Sequence, residues 1–338
     1  MFLMNIINMS SSPESVNLAV RRTCTLNEDN VVLFLGTERG LAVLQKLVRE
    51  KIGTIVGVCV QDSEGHGAEA TSEIHRIAEE IGAETYWERE LKPDDYADFI
   101  RGRNAVTALC VNWRRLFSHE AVYASTRGLV VAHDSLLPHL RGFAPLNHAI
   151  RNGETETGIT LFFANEQTDA GDVIAQGKTQ LGPKEYVGEV RDRVTRLTVD
   201  LIAEALPKVL AGEIEGSPQD ESKATYGVRL TPDDGHIDFS KGSRQIFDLI
   251  RATSHPYPGA YAHIKGSDKK LRIWNASLPE DAPRVAGAIP GRVVQTIQGR
   301  GVFVCTGDGV ILLETIQSEK GEIREADQVI KRYSTTLY

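Results

Sequence analysis

Short runs of consecutive apolar, often β-branched residues recur along the first two thirds of the chain. The stretches between them repeat their apolar positions every three to four residues. The runs at 31–36, 54–60, 105–111 and 128–132 predict buried strands, that at 158–163 a further strand, and 83–86 a short one. Between them, Leu41, Val43, Leu44 and Leu47 mark one face of a helix, and Ile74, Ile77, Ala78 and Ile81 mark a second over 71–81 that Gly82 closes. Residues 94–101 and 145–152 read as further helices. Strands alternating with helices at this spacing predict βαβ units, hence an α/β, Rossmann-like, doubly wound and mostly parallel sheet. A long helical period follows over 185–210, with Pro207 expected to interrupt it late and Gly212 to end it. The polar stretch 213–224, which contains Pro218, reads as a linker.

Beyond the linker the pattern changes. Short strand-like runs at 261–264, 271–276, 291–296, 302–306 and 310–317 are separated by Gly, Asp and Ser turns, after a single helix at 243–253. Thr306-Gly307-Asp308-Gly309 stands between two apolar runs and predicts a hairpin. These elements predict a small, OB-like β-barrel as a C-terminal domain. The expected organisation is an N-terminal extension over 1–28, a catalytic domain over 29–220 and the C-terminal domain over 221–338, the boundary falling within 215–225.

Composition adds exclusions. At 338 residues the chain has length for two domains, and 41% hydrophobic with 25% charged residues is ordinary for a globular protein. A net charge of −8 gives no general electrostatic case for nucleic acid. Cys24, Cys59, Cys110 and Cys305 are scattered without a Cys-x-x-Cys pair, so reduced, buried thiols are expected. No run approaches a membrane span, and Asn5 and Asn8 break the apolar start, so no signal peptide is read. A cytoplasmic location is the expectation.

The candidate chemistry gathers after two strands. The run 128–132 leads into His133, and the run 158–163 leads into a loop carrying Asp169. If those strands pair, imidazole and carboxylate face one crevice. Gly36 and Gly40 follow the first strand, but a Gly-x-Gly-x-x-Gly fingerprint is absent and nothing argues for NAD. No His/Cys cluster has metal-ligand spacing.

The stretch His133-Asp134-Ser135-Leu136-Leu137-Pro138-His139-Leu140-Arg141-Gly142 resembles the folate-dependent formyltransferase family. So do Asn152-Gly153-Glu154-Thr155-Glu156-Thr157-Gly158-Ile159-Thr160 and Asp169-Ala170-Gly171-Asp172. Thr231-Pro232-Asp233-Asp234-Gly235 and His255-Pro256-Tyr257-Pro258-Gly259 extend the resemblance into the C-terminal part. It implies formyl transfer from 10-formyltetrahydrofolate to an amine, without a metal. His133 then shares the proton and oxyanion work, since imidazoles exchange protons near neutral pH. Asp169 either orients the imidazole or takes the amine's proton. The same resemblance makes Arg114, Leu116, Thr168 and Asp172 folate-binding positions. One residue departs from the family: Val131 stands where an oxyanion-binding Asn is usual, and a Val side chain cannot donate. Asn112 is the first candidate replacement and Asn147 the second. The wording of these motifs looks closest to formyltransferases acting on nucleotide-linked amino sugars. Methionyl-tRNA formyltransferase, and a non-catalytic folate or sugar-nucleotide binder, are the alternatives. The expected partner is an amino-sugar nucleotide, with tRNA and a homodimer left open and no membrane partner.

Overall fold

The computed structural model describes residues 29–62, 67–267, 269–319 and 321–338. The expected extension over 1–28, with Cys24, lies outside the described residues. The chain opens with β1 (Asn30–Leu35), α1 (Thr37–Glu50), β2 (Thr54–Val60), α2 (Ala68–Glu80) and β3 (Glu84–Trp87). It continues through α3 (Tyr96–Arg101), β4 (Thr107–Val111), α4 (His119–Val122), β5 (Leu129–His133) and the two-residue β6 (Arg141–Gly142). Then come α5 (Pro145–Arg151), β7 (Glu156–Phe163), β8 (Val173–Gln180) and α6 (Val187–Ala211).

Seven of these strands form one sheet in the order β3-β2-β1-β4-β5-β7-β8. The pairings from β3 through β5 are parallel, and β7 and β8 add antiparallel strands at one side. The continuous apolar runs follow from burial on both faces. Odd residues of β1 and β4 (Val31, Leu33, Leu35, Leu109, Val111) pack with α1, α2, α5 and α6. Even residues (Val32, Phe34, Ala108, Cys110) pack with α3 and α4 around the ring of Phe34. Strand order reverses between β1 and β4, and at that switch point the amide of Gly36 donates to Val111 O (3.1 Å). Burial pushes the Cys59 and Cys110 thiols well above the usual cysteine range, so both stay protonated inside this layer.

One expectation needs correction here, and one strand adds to the predicted set. Pro207 does not interrupt α6, which runs through it to a left-handed Gly212 cap. The proline sits in the last turns, where one hydrogen bond is lost, while Leu206 and Val209 on either side are anchored in the core. Strand β8 was not anticipated at all. It is an edge strand whose residues alternate toward solvent, so it shows no apolar run.

The chain then passes through the two-residue β9 (Tyr226–Gly227) to α7 (Ser243–Thr253). The strands β10 (Ala260–His263), β11 (Lys270–Ser277), β12 (Val293–Ile297), β13 (Gly301–Cys305), β14 (Val310–Ser318) and β15 (Ile323–Glu325) follow, with α8 (Ala326–Val329) last. They form an antiparallel sheet, β10-β11-β14-β13-β12, with β15 on β14 and a core of its own. The expected hairpin joins β13 to β14. The last residues close this sheet into a barrel, because Tyr338 exchanges bonds with His263 on β10 while Val293 on β12 donates to Thr335 O.

Helix α7 docks the barrel on the first domain. Arg251, 1% exposed, pairs with buried Asp248 (2.6 Å) and donates to Ile150 O (3.3 Å) and Glu185 O (3.1 Å). Asn147 on α5 donates to Ala252 O (2.8 Å) across the same seam. Replacing Arg251 by Ala leaves the buried Asp248 carboxylate with only the half-exposed Arg244 as its cation and removes the donor that reaches Ile150 O and Glu185 O across the seam. A loss of about 3 kcal/mol is expected, read from urea unfolding.

Candidate functional site

His133 ends β5 and Asp169 lies in the loop after β7, yet the two strands are antiparallel: Val130 faces Phe163 and His133 faces Thr160. The end of β7 therefore lies three residues, about 10 Å, from the imidazole. The two strands pair and the two residues meet, as expected, but the meeting is not one of two strand ends. The loop 164–172 leaves and re-enters the sheet at one level, with Phe163 N donating to Asp172 O (2.9 Å). Its tip climbs back to His133. Gly171 makes this return feasible, since a Cβ there would stand 1.7 Å from Phe163 O.

The result is a contact of 3.5 Å between His133 Nδ1 and Asp169 Oδ2. Both side chains are held from behind. His133 Nε2 lies 2.8 Å from Leu140 O, and because a carbonyl only accepts, Nε2 carries the hydrogen and Nδ1 is the atom turned to Asp169. Asp169 Oδ2 accepts from Gly142 N (2.7 Å). Residues 135–140 are held in turn by Thr160, whose hydroxyl donates to Ser135 O (2.7 Å) and accepts from Leu137 N (3.0 Å) and Gln176 Nε2 (2.9 Å).

The stretch 213–224 read as a linker, together with the residues just after it, carries out much of this positioning. Residues 225–227 lie along β6: Arg141 N donates to Thr225 O and Phe143 N to Gly227 O, both 2.9 Å. That leaves the intervening Gly142 amide pointing away from β9, at the carboxylate. Gly142 is required twice over, by φ +91° and by Gly227 O only 2.8 Å from where a Cβ would be. Thr225 Oγ1 also accepts from Leu140 N (2.9 Å), the residue whose carbonyl holds His133. Arg141 is wholly buried, and its guanidinium is clamped by Glu221 (2.6 and 2.8 Å) and by Gln219 Oε1 (2.8 and 3.1 Å). Hydrogen bonding to Arg141 holds the Glu221 carboxyl below its usual range. That half of the clamp is complete above the ordinary carboxylate value of about 4.3 and is lost as pH falls through the depressed folded value.

Asn112 follows β4 in the left-handed region (φ +53°), beside His133 in the parallel register set by Val111 and Ala132. Its Oδ1 accepts from Arg39 Nη1 (3.2 Å), which leaves its NH2 as the end Arg39 does not use. Arg39 is 3% exposed, pairs with Asp134 next to His133, and donates to Thr195 Oγ1 (3.2 Å). Asn147 is overturned as an oxyanion donor, because its amide is spent on Ala252 O in the domain seam. Val131 is half-buried against the layer around Phe34. Arg114 is exposed, its Nε donating to Gln61 Oε1 (3.1 Å) when that carboxamide is turned to give Asn112 O its N–H (2.7 Å). Leu116 is 75% exposed, and Thr168 and Asp172 are exposed on either side of Asp169. A separate cavity of about 510 Å³ opens between Leu136, His139, Glu154 and Lys178; neither His133, Asp169 nor Asn112 lines it.

Three residues hydrogen-bonded around the site, Gln219, Thr225 and Arg39, are not among the candidates named from the sequence. Gln219 and Thr225 sit in a polar stretch with no period. Arg39 did leave a signal, since it shares the buried stripe of α1 with Val43 and Leu47.

A histidine and a carboxylate meeting over the ligand edge of such a sheet form a site for acid–base chemistry. Residues 29–206 match the formyl transferase family, and residues 229–334 match the formyl transferase C-terminal domain. The chain belongs to the formyl transferase family, a family of enzymes. It is 32% identical over 290 residues to a methionyl-tRNA formyltransferase of Symbiobacterium thermophilum, covering 85% of this chain and 87% of that one. Among solved structures, HypX from Aquifex aeolicus in complex with tetrahydrofolic acid superimposes with a TM-score of 0.60 at 19% identity, over 90% of this chain. The chain spans 47% of HypX. WlaRD, a sugar 3N-formyl transferase, superimposes with a TM-score of 0.63 at 12% identity, over 87% of this chain and 99% of that one. These two likenesses are likenesses of fold.

An apolar side chain as open as Leu116, on the loop after β4, is worth about 1.5–3 kcal/mol if a ligand covers it. Leu116→Asp is therefore expected to raise the KM for the formyl donor about tenfold or more, with the acceptor KM changed less. Steady-state kinetics with each substrate varied in turn checks this.

Proposed function

We propose that the protein is an N-formyltransferase that moves the formyl group of 10-formyltetrahydrofolate to the amino group of methionyl-tRNA. The chemistry rests on the 3.5 Å His133–Asp169 pair and its anchors. The acceptor rests on similarity that runs through both domains to methionyl-tRNA formyltransferases. That similarity moves tRNA ahead of the amino-sugar nucleotide favoured by the motifs. The sugar formyltransferases among the structures are below 20% identical and speak only to fold.

In this reading the neutral amine attacks the formyl carbon, forming the new C–N bond, and the bond from that carbon to the folate nitrogen breaks. The amine gives up one proton and the folate nitrogen gains one. Asp169, fixed by Gly142 N, takes the first; His133, protonated at both ring nitrogens, donates from Nδ1 to the oxyanion and then gives that proton to the departing nitrogen, and the proton on Asp169 restores it across the 3.5 Å contact. With Val131 unable to donate, the NH2 of Asn112 supplies the second oxyanion contact, its oxygen being tied to Arg39.

The test supplies 10-formyltetrahydrofolate with methionyl-tRNA and, separately, a panel of amino-sugar nucleotides. Turnover on methionyl-tRNA whose kcat/KM falls steeply with added salt is expected, as phosphate contacts require. Turnover confined to a sugar nucleotide would replace the acceptor, and none with either would mark a binding protein. In purified, folded variants, His133→Ala and Asp169→Ala should each lose about 10²–10⁴ in kcat. Asn112→Ala should lose about 10²-fold or more, as removal of an oxyanion donor does.

A further inference from the structure

The catalytic pair is assembled on one domain, but its carboxylate is held by the segment that leads to the other. Asp169 sits in the left-handed region (φ +52°), which an Asp adopts at a cost of about 1–2 kcal/mol unless its surroundings compensate. Its backbone is met there by one side chain. Gln219 Nε2 donates to Asp169 O (2.9 Å) and to Gly171 O (2.7 Å), bracketing the turn. The other end of that carboxamide, Oε1, accepts from Nε (3.1 Å) and Nη2 (2.8 Å) of buried Arg141. A guanidinium only donates and a carbonyl only accepts, so the amide has a single orientation and its bonding capacity is fully used. The segment is fixed just upstream by Ser217, which exchanges backbone bonds with Val173 at the far end of the same loop (2.8 and 2.9 Å).

We infer that Gln219 is a positioning residue of the active site: locked by Arg141, it sets the place of the Asp169 carboxylate against His133. The interdomain segment, through Gln219, thus completes the catalytic geometry. The kinetic part of this inference rests on the formyl-transfer reading; the geometric part does not.

The experiment uses the full chain with Gln219→Ala and Gln219→Glu. Alanine removes both ends of the tie and exposes Arg141 to a loss of partners, so it lowers stability as well. Glutamate keeps an acceptor for Arg141 but has no N–H for the carbonyls of Asp169 and Gly171, so the fold survives while the turn is released. Displacements near 1 Å at a reacting group cost about 10²-fold. Gln219→Glu is accordingly expected to lower kcat about 10- to 100-fold with unchanged donor KM, and to lower the melting temperature less than Gln219→Ala does, since Arg141 keeps its acceptor. A second readout needs no turnover. The amide proton of Gly142, which donates to Asp169 Oδ2 at 2.7 Å, is read by NMR in the deuterated protein and should move upfield and exchange faster in Gln219→Glu. An unchanged Gly142 resonance overturns the inference whether or not the enzyme turns over. So does a Gln219→Glu variant with wild-type kcat, or one whose kcat falls only in step with its melting temperature. Absence of turnover in the unmodified chain, with the Gly142 shift responding as expected, would refute the formyl-transfer reading alone.

Discussion

Strand β7 runs antiparallel to β5, so the chain leaves the sheet at the wrong end for a residue that must meet His133. Everything around the site answers that constraint. The loop 164–172 has to travel back along the sheet, carry Asp169 in a left-handed conformation, and stay there without a strand or helix of its own to support it. Support comes from three directions. The Gly142 amide meets the carboxylate, the Gln219 carboxamide meets the backbone, and the Ser217–Val173 pairing closes the base.

The centre of this arrangement is an arginine with no exposed surface. Taking a guanidinium out of water is expensive, and it is tolerated only when its donors are met in good geometry. Arg141 meets them with the two oxygens of Glu221, the carboxamide oxygen of Gln219 and the Tyr226 hydroxyl (3.3 Å). All of these partners come from the segment between the domains. Segment and loop are therefore interdependent: without 217–227 the guanidinium would be an uncompensated buried charge, and without Arg141 the segment would lose its anchor. Arg39 repeats the device from α1, as a buried cation joining Thr195 on α6, Asn112 and Asp134.

The second domain is tied on by the same chemistry. Arg251 and Asp248 on α7 and Asn147 on α5 satisfy one another's neighbours across the seam, while the C-terminal residues close the barrel behind them. Asn147 shows how a polar residue near a site can serve the architecture. Its position suggested chemistry, and its hydrogen bond assigns it to docking.

The elements themselves were legible because their cause is local. A strand buried on both faces must be continuously apolar, as 31–35 is, and a helix over a sheet must repeat every three to four residues, as α1 does; the bounds of α7 follow from the same period. That His133 and Asp169 would meet was legible too, since a strand-end loop built with Gly and Pro leaves a pattern in the chain. What remained hidden depends on distance in sequence. The direction of β7, the edge strand β8, the passage of α6 through Pro207 and the roles of Gln219 and Thr225 are settled by partners tens of residues away. A hydrogen bond between Gln219 and Asp169 spans 50 positions and leaves no period that either residue's neighbours could display. Apolar burial is written into the chain as repetition, whereas the pairing of buried polar groups exists only once the fold has brought the partners together.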